Sequence, residues 1–180
     1  MPHVDELQRN APDYRLVQRE VDRVLRENAC IDPPILPKEI ADNYNIGVLF
    51  ATFPERLSHV MGFYDFEKDQ ILVNKADPVN RQTFTIAHEL GHGVLHKDYF
   101  RNNPAKYKVL LRRPMGEQKD PLEQEANSFA ANLLVPRKML EKYSRFSSVR
   151  ELSTLFIVSE EVIRWRLIGE KLVHEYAGSN

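Results

Sequence analysis

The stretch His88-Glu89-Leu90-Gly91-His92 decides the fold and points to a bound metal. Residues four positions apart lie above one another on one face of an α-helix, so His88 and His92 can direct imidazole nitrogens at a single ion. Glu89 adjoins the first histidine and can reach a water molecule beside that ion without binding the ion itself. This spacing is typical of zinc-dependent peptide hydrolysis, in which the glutamate is the general base.

The neighbouring residues predict a helix that carries both histidines on its buried face. Asp77 is predicted to cap this helix and Pro78 to be its first residue. Apolar residues then recur with the histidines at helical spacing, at Phe84, Ala87, Gly91 and Leu95. Glycine is a poor helix former in mid-helix, so Gly91 predicts that another part of the chain packs closely there. The alternative is a surface helix with two unrelated histidines.

A second predicted helix supplies the third metal ligand. A catalytic zinc usually has three protein ligands and one open position, and residues 122–136 form a helical pattern that ends near Pro136. Glu123 lies roughly 55° from the centre of the apolar face of this helix, and Glu125 roughly 105° from it. Glu123 is therefore the preferred ligand, and Glu125 remains the alternative. Asn127 follows Glu123 by one turn and can accept the outer N–H of a ligand histidine.

The remaining histidines are predicted to lie outside the metal site. A continuous helix rises about 12 Å from His88 to His96, too far for three histidines of one helix to surround one ion. His96 is therefore interpreted as a helix-end or packing residue. His3, His59 and His174 belong to no motif, although His59 lies in a loop-like stretch that could border the cleft.

Together these blocks resemble the ImmA/IrrE family of zinc metallopeptidases. The resemblance is strongest in residues 83–96 and 123–136, is supported by residues 70–74 and 152–167, and extends over about residues 31–172. It implies a compact α+β peptidase domain with His88, Glu89, His92 and an acidic third ligand. It also implies a role inside bacteria or phage-related elements, where family members cleave or inactivate helix-turn-helix repressors that are often encoded beside them.

The rest of the chain predicts an α+β fold, with a small three-stranded sheet packed on a zincin-like helical core and a C-terminal helical hairpin. Strands are predicted at residues 46–50, 61–66 and 70–74, the last two as a hairpin. Helices are predicted at residues 14–28 and 37–44. Residues 1–13 are expected to be flexible, and residues 14–180 to form a single domain.

Residues 97–120 show no periodicity and are rich in basic residues. A lid that selects acidic substrate segments and a solvated insertion both fit this pattern. The cations are Lys106, Lys108, Arg112, Arg113 and Lys119, with Tyr99, Phe100 and Tyr107 among them.

The tail at residues 149–172 resembles a helix-turn-helix, with Ser159 predicted to cap its second helix. Its four cations, Arg150, Arg164, Arg166 and Lys171, are matched by four glutamates. A surface that binds phosphates should be more basic. The pattern therefore favours a helical hairpin that packs on the core, and direct DNA binding is not expected.

Composition sets broad limits on function. The net charge of −1 favours neither nucleic acid nor membrane, and Cys30 is the single cysteine, which excludes a disulfide framework and a cysteine zinc site. No apolar run could span a bilayer, so a cytoplasmic protein is expected.

The favoured interpretation is a zinc-dependent endopeptidase with Zn²⁺ on His88, His92 and Glu123 and with Glu89 as base. Its expected substrate is a separate partner repressor. The alternatives are a non-proteolytic zinc-containing regulator that binds a partner, and the toxin of a toxin–antitoxin pair. No pattern indicates an oligomeric state.

Overall fold

The computed structural model describes residues 11–57, 59–103 and 120–172, and only the backbone of Arg56. Its elements confirm the α+β class predicted from the sequence. The helices are α1 (Tyr14–Glu27), α2 (Pro37–Asn43), α3 (Val79–Leu95), α4 (Lys97–Asn102), α5 (Pro121–Leu134), α6 (Arg137–Ser144), α7 (Val149–Phe156) and α8 (Glu160–Gly169). The strands are β1 (Gly47–Ala51), β2 (Gly62–Asp65) and β3 (Gln70–Asn74), with a 3-10 turn at Glu55–Leu57.

The three predicted strands form one mixed sheet in the order β1-β3-β2. Strands β2 and β3 are the predicted antiparallel hairpin, with Gly62 opposite Val73. Strand β1 runs parallel to β3, starting with Gly47 beside Gln70. Because β3 is central among the described strands, β2 lies at the edge of this part of the sheet, and it packs against α3.

Two glycines allow α3 to lie tightly between α5 and the sheet. An ideal Cβ atom on Gly91 would lie 3.0 Å from Cδ1 of Phe129 on α5, which confirms the close packing predicted at this glycine. On Gly93 it would lie 2.7 Å from Cε2 of Tyr64 on β2. Both aromatic rings are fully buried. The helix with the histidines is therefore held from both sides by the hydrophobic core.

The start of α3 corrects the prediction that Asp77 caps the helix and that Pro78 is its first residue. Helix α3 begins at Val79, Pro78 is its N-cap, and no side chain caps it. The reason is that Pro78 has an extended ψ of 152°, so its carbonyl accepts the first helical hydrogen bonds and Asp77 lies one residue too early. The Asp77 carboxylate instead accepts a hydrogen bond from Arg81 at 3.2 Å.

The C-terminal helices α7 and α8 pack on the core, as predicted. Leu152, Phe156 and Ile163 are fully buried in the same hydrophobic cluster as the rest of the molecule. Ser159 caps α8, as predicted, because its hydroxyl accepts the backbone N–H of Val162 at 3.3 Å.

Two cations of this hairpin make contacts within the protein. The Nε atom of Arg166 donates to the carbonyl oxygen of Val135 at 3.0 Å, and the same guanidinium pairs with Glu170 at 2.9 Å. Arg164 pairs with Glu160 at 3.1 Å. Arg166 is only 9% exposed, so its guanidinium makes these contacts at the junction between α5 and α8 rather than facing solvent.

Helices α4 and α6 were not predicted from the sequence. Helix α4 occupies the start of the basic segment, and α6 begins directly after Pro136, its N-cap. Most of the predicted flexible N-terminus and basic segment, namely residues 1–10 and 104–119, lies outside the described residues, as do His3 and His174. Within the described ranges, none of the helices has the length and apolar character needed to cross a bilayer.

Candidate metal centre

The structure brings His88 and His92 of α3 together with Glu123 of α5. The Nε2 atoms of the two histidines are 3.1 Å apart. The Glu123 carboxylate oxygens lie 3.3 Å from Nε2 of His88 and 3.2 Å from Nε2 of His92. All three residues are buried, so two nitrogens and one carboxylate meet at a common point inside the protein.

The spacing of these donor atoms fits a tetrahedral metal ion. With metal–ligand distances of about 2.0–2.1 Å, neighbouring ligands of a tetrahedral zinc are about 3.3 Å apart. The nitrogen–nitrogen separation of 3.1 Å agrees with that value, as do the 3.3 and 3.2 Å from the nitrogens of His88 and His92 to one Glu123 oxygen each. Two imidazoles and a carboxylate also form a donor set that suits zinc.

The Glu123 carboxyl is held in its ionised form. Burial alone would raise its pKa, but a protonated imidazole of His88 or His92, each within 3.3 Å, outweighs burial and lowers the pKa well below its ordinary value. An ionised carboxylate is the form that binds a cation.

Asn127 lies behind the first histidine, as the sequence predicted. Its Oδ1 atom is 2.8 Å from Nδ1 of His88. An amide oxygen accepts a hydrogen bond, so Nδ1 carries the proton and the lone pair of Nε2 points toward Glu123 and His92. Helix α5 therefore supplies both the Glu123 carboxylate, which faces the two histidines, and the Asn127 amide, which orients His88 on α3.

Glu125, the alternative third ligand, lies outside the cluster and contacts His96. One carboxylate oxygen is 2.8 Å from Nε2 of His96, and the other accepts the backbone N–H of Asp13 at 2.6 Å. Glu125 is fully buried, although its angle on the isolated helix had suggested the rim. The difference arises because α1 covers that side of α5.

His96 ends α3, as predicted, and in addition contacts a residue of the cluster. Its Nδ1 atom lies 3.0 Å from Nδ1 of His92. Burial is the main cause that lowers the pKa of His96, to about 4, so the ring is neutral at physiological pH. The spacing of four residues between His92 and His96 was the sequence signal for their contact. The other partner of His96, Glu125, is far along the chain, so no local pattern in the sequence indicated that contact.

Glu89 and His59 take different positions in the fold. Glu89 is on α3 and is fully buried. It follows His88 directly in the chain and does not belong to the three-residue cluster. His59 is exposed in the loop before β2, outside the cluster.

Comparison with known proteins places this arrangement in a family. The model of the peptidase M78 family, the IrrE N-terminal-like domain, matches residues 41–167. The chain is 30% identical over 138 residues to "Uncharacterized immunity region protein 2" of Bacillus phage phi105, a match covering 75% of this chain and 78% of that protein. It is 35% identical over 111 residues to "Metallopeptidase ImmA" of Bacillus subtilis strain 168, covering 58% of this chain and 59% of ImmA.

A solved structure shares the fold. A Mycobacterium tuberculosis transcriptional regulator superposes with a TM-score of 0.60 at 19% identity, over 87% of this chain and 47% of the regulator. The chain thus spans less than two thirds of ImmA and of the regulator. The family match contains both α3 and α5, which carry the three donor residues. The chain therefore belongs to the ImmA/IrrE family, the metallopeptidases with an IrrE N-terminal-like domain.

Proposed function

We propose that the chain is a zinc-dependent endopeptidase in which His88, His92 and Glu123 hold the metal and Glu89 is the general base. The observation that carries this proposal is the donor spacing of 3.1–3.3 Å on two packed helices. Membership of a metallopeptidase family supports it independently.

The chemistry of Glu89 follows from its position next to His88. When bound, zinc would polarise the carbonyl of the scissile peptide and lower the pKa of the attacking water. Glu89 takes a proton from this water while the water oxygen bonds to the carbonyl carbon. Glu89 then gives the proton to the leaving amine nitrogen as the C–N bond breaks. Two products result, one with a new carboxyl group and one with a new amino group.

The edge strand β2 is the proposed platform for an extended substrate. An ideal Cβ atom on Gly62 would lie 2.6 Å from the Thr85 side chain, so the start of β2 touches α3 one turn before Glu89. Main-chain groups on a free strand edge can pair with an extended peptide. A substrate bound along β2 would therefore pass close to the general base.

We further propose that the substrate is a separate helix-turn-helix repressor in the same cytoplasm. One relative is an immunity region protein of a phage and another is named a metallopeptidase. The family resemblance implies the same kind of substrate. The alternative is a regulator that binds its partner through a structural zinc. Structural zinc sites have four protein ligands, whereas the cluster in the described part of the chain has three, which favours catalysis.

The test is coexpression of this chain with the repressor encoded beside its gene. The wild type should convert the repressor into two fragments, and mass spectrometry should identify one hydrolysed peptide bond. Glu89→Gln should retain stoichiometric zinc but produce at least about 100-fold less fragment, because the general base is lost. Glu67→Gln, an exposed glutamate in the β2–β3 turn, is the matched control and should cleave like the wild type.

The outcomes separate the two interpretations. An intact repressor that copurifies with the zinc-loaded wild type would overturn the peptidase proposal in favour of the binding regulator. Equal cleavage by wild type and Glu89→Gln would overturn the assigned base. A purified wild type without zinc, even after addition of the metal, would overturn the metal site.

A further inference from the structure

A continuous line of buried polar groups extends from the metal centre to the first turn of α1. It starts at His92, passes through His96 and Glu125, and ends at the backbone N–H of Asp13, with separations of 3.0, 2.8 and 2.6 Å. His92, His96 and Glu125 are each at most 1% exposed. Burying a polar side chain lowers the stability of the fold unless hydrogen bonds compensate, and an apolar side chain would fill the same space without that cost. The presence of three buried polar side chains in a row therefore needs a physical reason.

The proton positions along this line follow from the geometry. The Nε2 atom of His92 faces His88 and Glu123, so its lone pair is directed at the metal position. His92 Nδ1 then carries the proton and donates to His96 Nδ1. With Nδ1 as acceptor, His96 carries its own proton on Nε2 and donates to the Glu125 carboxylate. Only an imidazole combines an acceptor and a donor on one rigid ring at this separation.

Glu125 connects this line to α1. Asp13 is the N-cap of α1, and its side chain accepts the N–H groups of Arg15 and Leu16 at 3.1 and 2.9 Å. Its own N–H points instead at Glu125, across the junction of α1 and α5. A carboxylate at the start of a helix is favoured by the helix dipole. The contact requires α1 to stay packed against α5, and the buried valines of α1, Val17, Val21 and Val24, hold this helix in the common core.

We propose that His96 and Glu125 are positioning residues that orient His92 toward the metal and link the metal centre to the docking of α1. This inference rests on the proposed zinc site. Asn127 orients His88, and the line through His96 and Glu125 orients His92, so each histidine of α3 has its own support from α5. Groups that hold ligand histidines in this way affect metal affinity about 10–100-fold.

The experiment measures zinc dissociation constants of the full-length protein by competition with a chromophoric chelator, together with the visible spectrum of the cobalt-substituted protein. Glu125→Gln keeps the shape of the side chain and removes its charge. The double variant H96F/E125Q removes the whole line without leaving a buried carboxylate. Tyr14→Phe is the matched control, because it removes a hydrogen bond from Tyr14 to Gln124 across the same α1–α5 junction and leaves the line intact.

We expect Glu125→Gln and H96F/E125Q each to bind zinc about 10–100-fold more weakly than the wild type. We also expect their cobalt absorption bands to shift, while Tyr14→Phe keeps the wild-type constant and spectrum. Equal constants and spectra in all four proteins would overturn the inference and leave the zinc site standing. Equal weakening by Tyr14→Phe would overturn it as well, because loose docking of α1 would then explain the effect. A wild type that binds neither metal would instead contradict the proposed function.

Discussion

The amide oxygen of Asn127 on α5 lies 2.8 Å from Nδ1 of His88 on α3, and Glu123 lies one turn earlier on the same helix. One face of α5 thus provides both a candidate metal ligand, Glu123, and the amide that orients His88. The candidate metal centre depends on the register between α3 and α5, which close packing of Phe129 on Gly91 maintains.

Replacement of Asn127 by alanine tests this support. Without the amide oxygen the His88 ring loses the acceptor for its Nδ1 proton, and zinc affinity should fall about 10–100-fold. Chelator competition measures the change. Asn132→Ala is the matched control, because the Asn132 amide donates to Ser128 of its own helix, away from the His88 ring. Indistinguishable zinc affinities of the two variants would contradict a role for Asn127.

The glycines of α3 and α8 should respond to alanine in opposite directions. Gly93→Ala places a methyl group 2.7 Å from the buried Tyr64 ring, so overpacking should lower the free energy of unfolding by about 1–3 kcal/mol. An ideal Cβ atom on Gly169, the last residue of α8, would meet no neighbouring side chain within 4 Å among the residues that the structure describes. Gly169→Ala should raise the free energy of unfolding by up to about 1 kcal/mol. Urea unfolding measures both, and a Gly93→Ala protein as stable as wild type would refute the close contact.

The Asp69 carboxylate makes a pH-dependent contribution to stability. It accepts hydrogen bonds from Tyr64 at 3.0 Å and pairs with Lys97 at 2.9 Å and Arg101 at 2.7 Å. Burial alone would raise its pKa, but these partners lower it below the ordinary value. A lowered pKa means that the stabilisation is complete above the unfolded pKa of about 3.9 and is lost as the pH falls through the folded value.

Asp69→Asn should therefore lower the free energy of unfolding by about 1–2 kcal/mol at pH 7. The difference from wild type should shrink as the pH falls below about 4. Asparagine tolerates the positive φ of 50° at this position, so the backbone is not a second cause. Urea unfolding with a chelator in every sample measures the effect, and Asp98→Asn, at an exposed carboxylate of α4, is the control. A difference of the same size at pH 7 and pH 3 would contradict this electrostatic origin.

Local patterns in the sequence were sufficient to predict that His88, His92 and Glu123 come together. The spacing of His88 and His92 and the helical angles of Glu123 and Asn127 depend on the helix repeat alone. The residues at these positions come close together because both helices pack through the apolar faces that carry them. The strands and the capping of α8 by Ser159 were also readable from local residue types.

Features that depend on distant parts of the chain could not be predicted in this way. Strand β1 pairs with β3 rather than with its neighbour in sequence, and no local pattern encodes that choice. Glu125 is buried because α1 covers it, although its position on the isolated helix had suggested exposure. His96 acquires its partner in the same manner. Pro136 ends α5 as expected, yet a helix restarts after it, since proline also serves as an N-cap.

The central claim, a catalytic zinc held by two helices, is tested most directly by a crystal structure of the zinc-loaded protein with anomalous data at the zinc edge. The account predicts one strong anomalous peak within about 2.0–2.2 Å of Nε2 of His88, Nε2 of His92 and a carboxylate oxygen of Glu123. The fourth coordination position of the zinc should be open to water, and Glu125 should still contact His96. A peak at another place, a zinc bound by Glu125, or a site closed by four protein side chains would contradict the account.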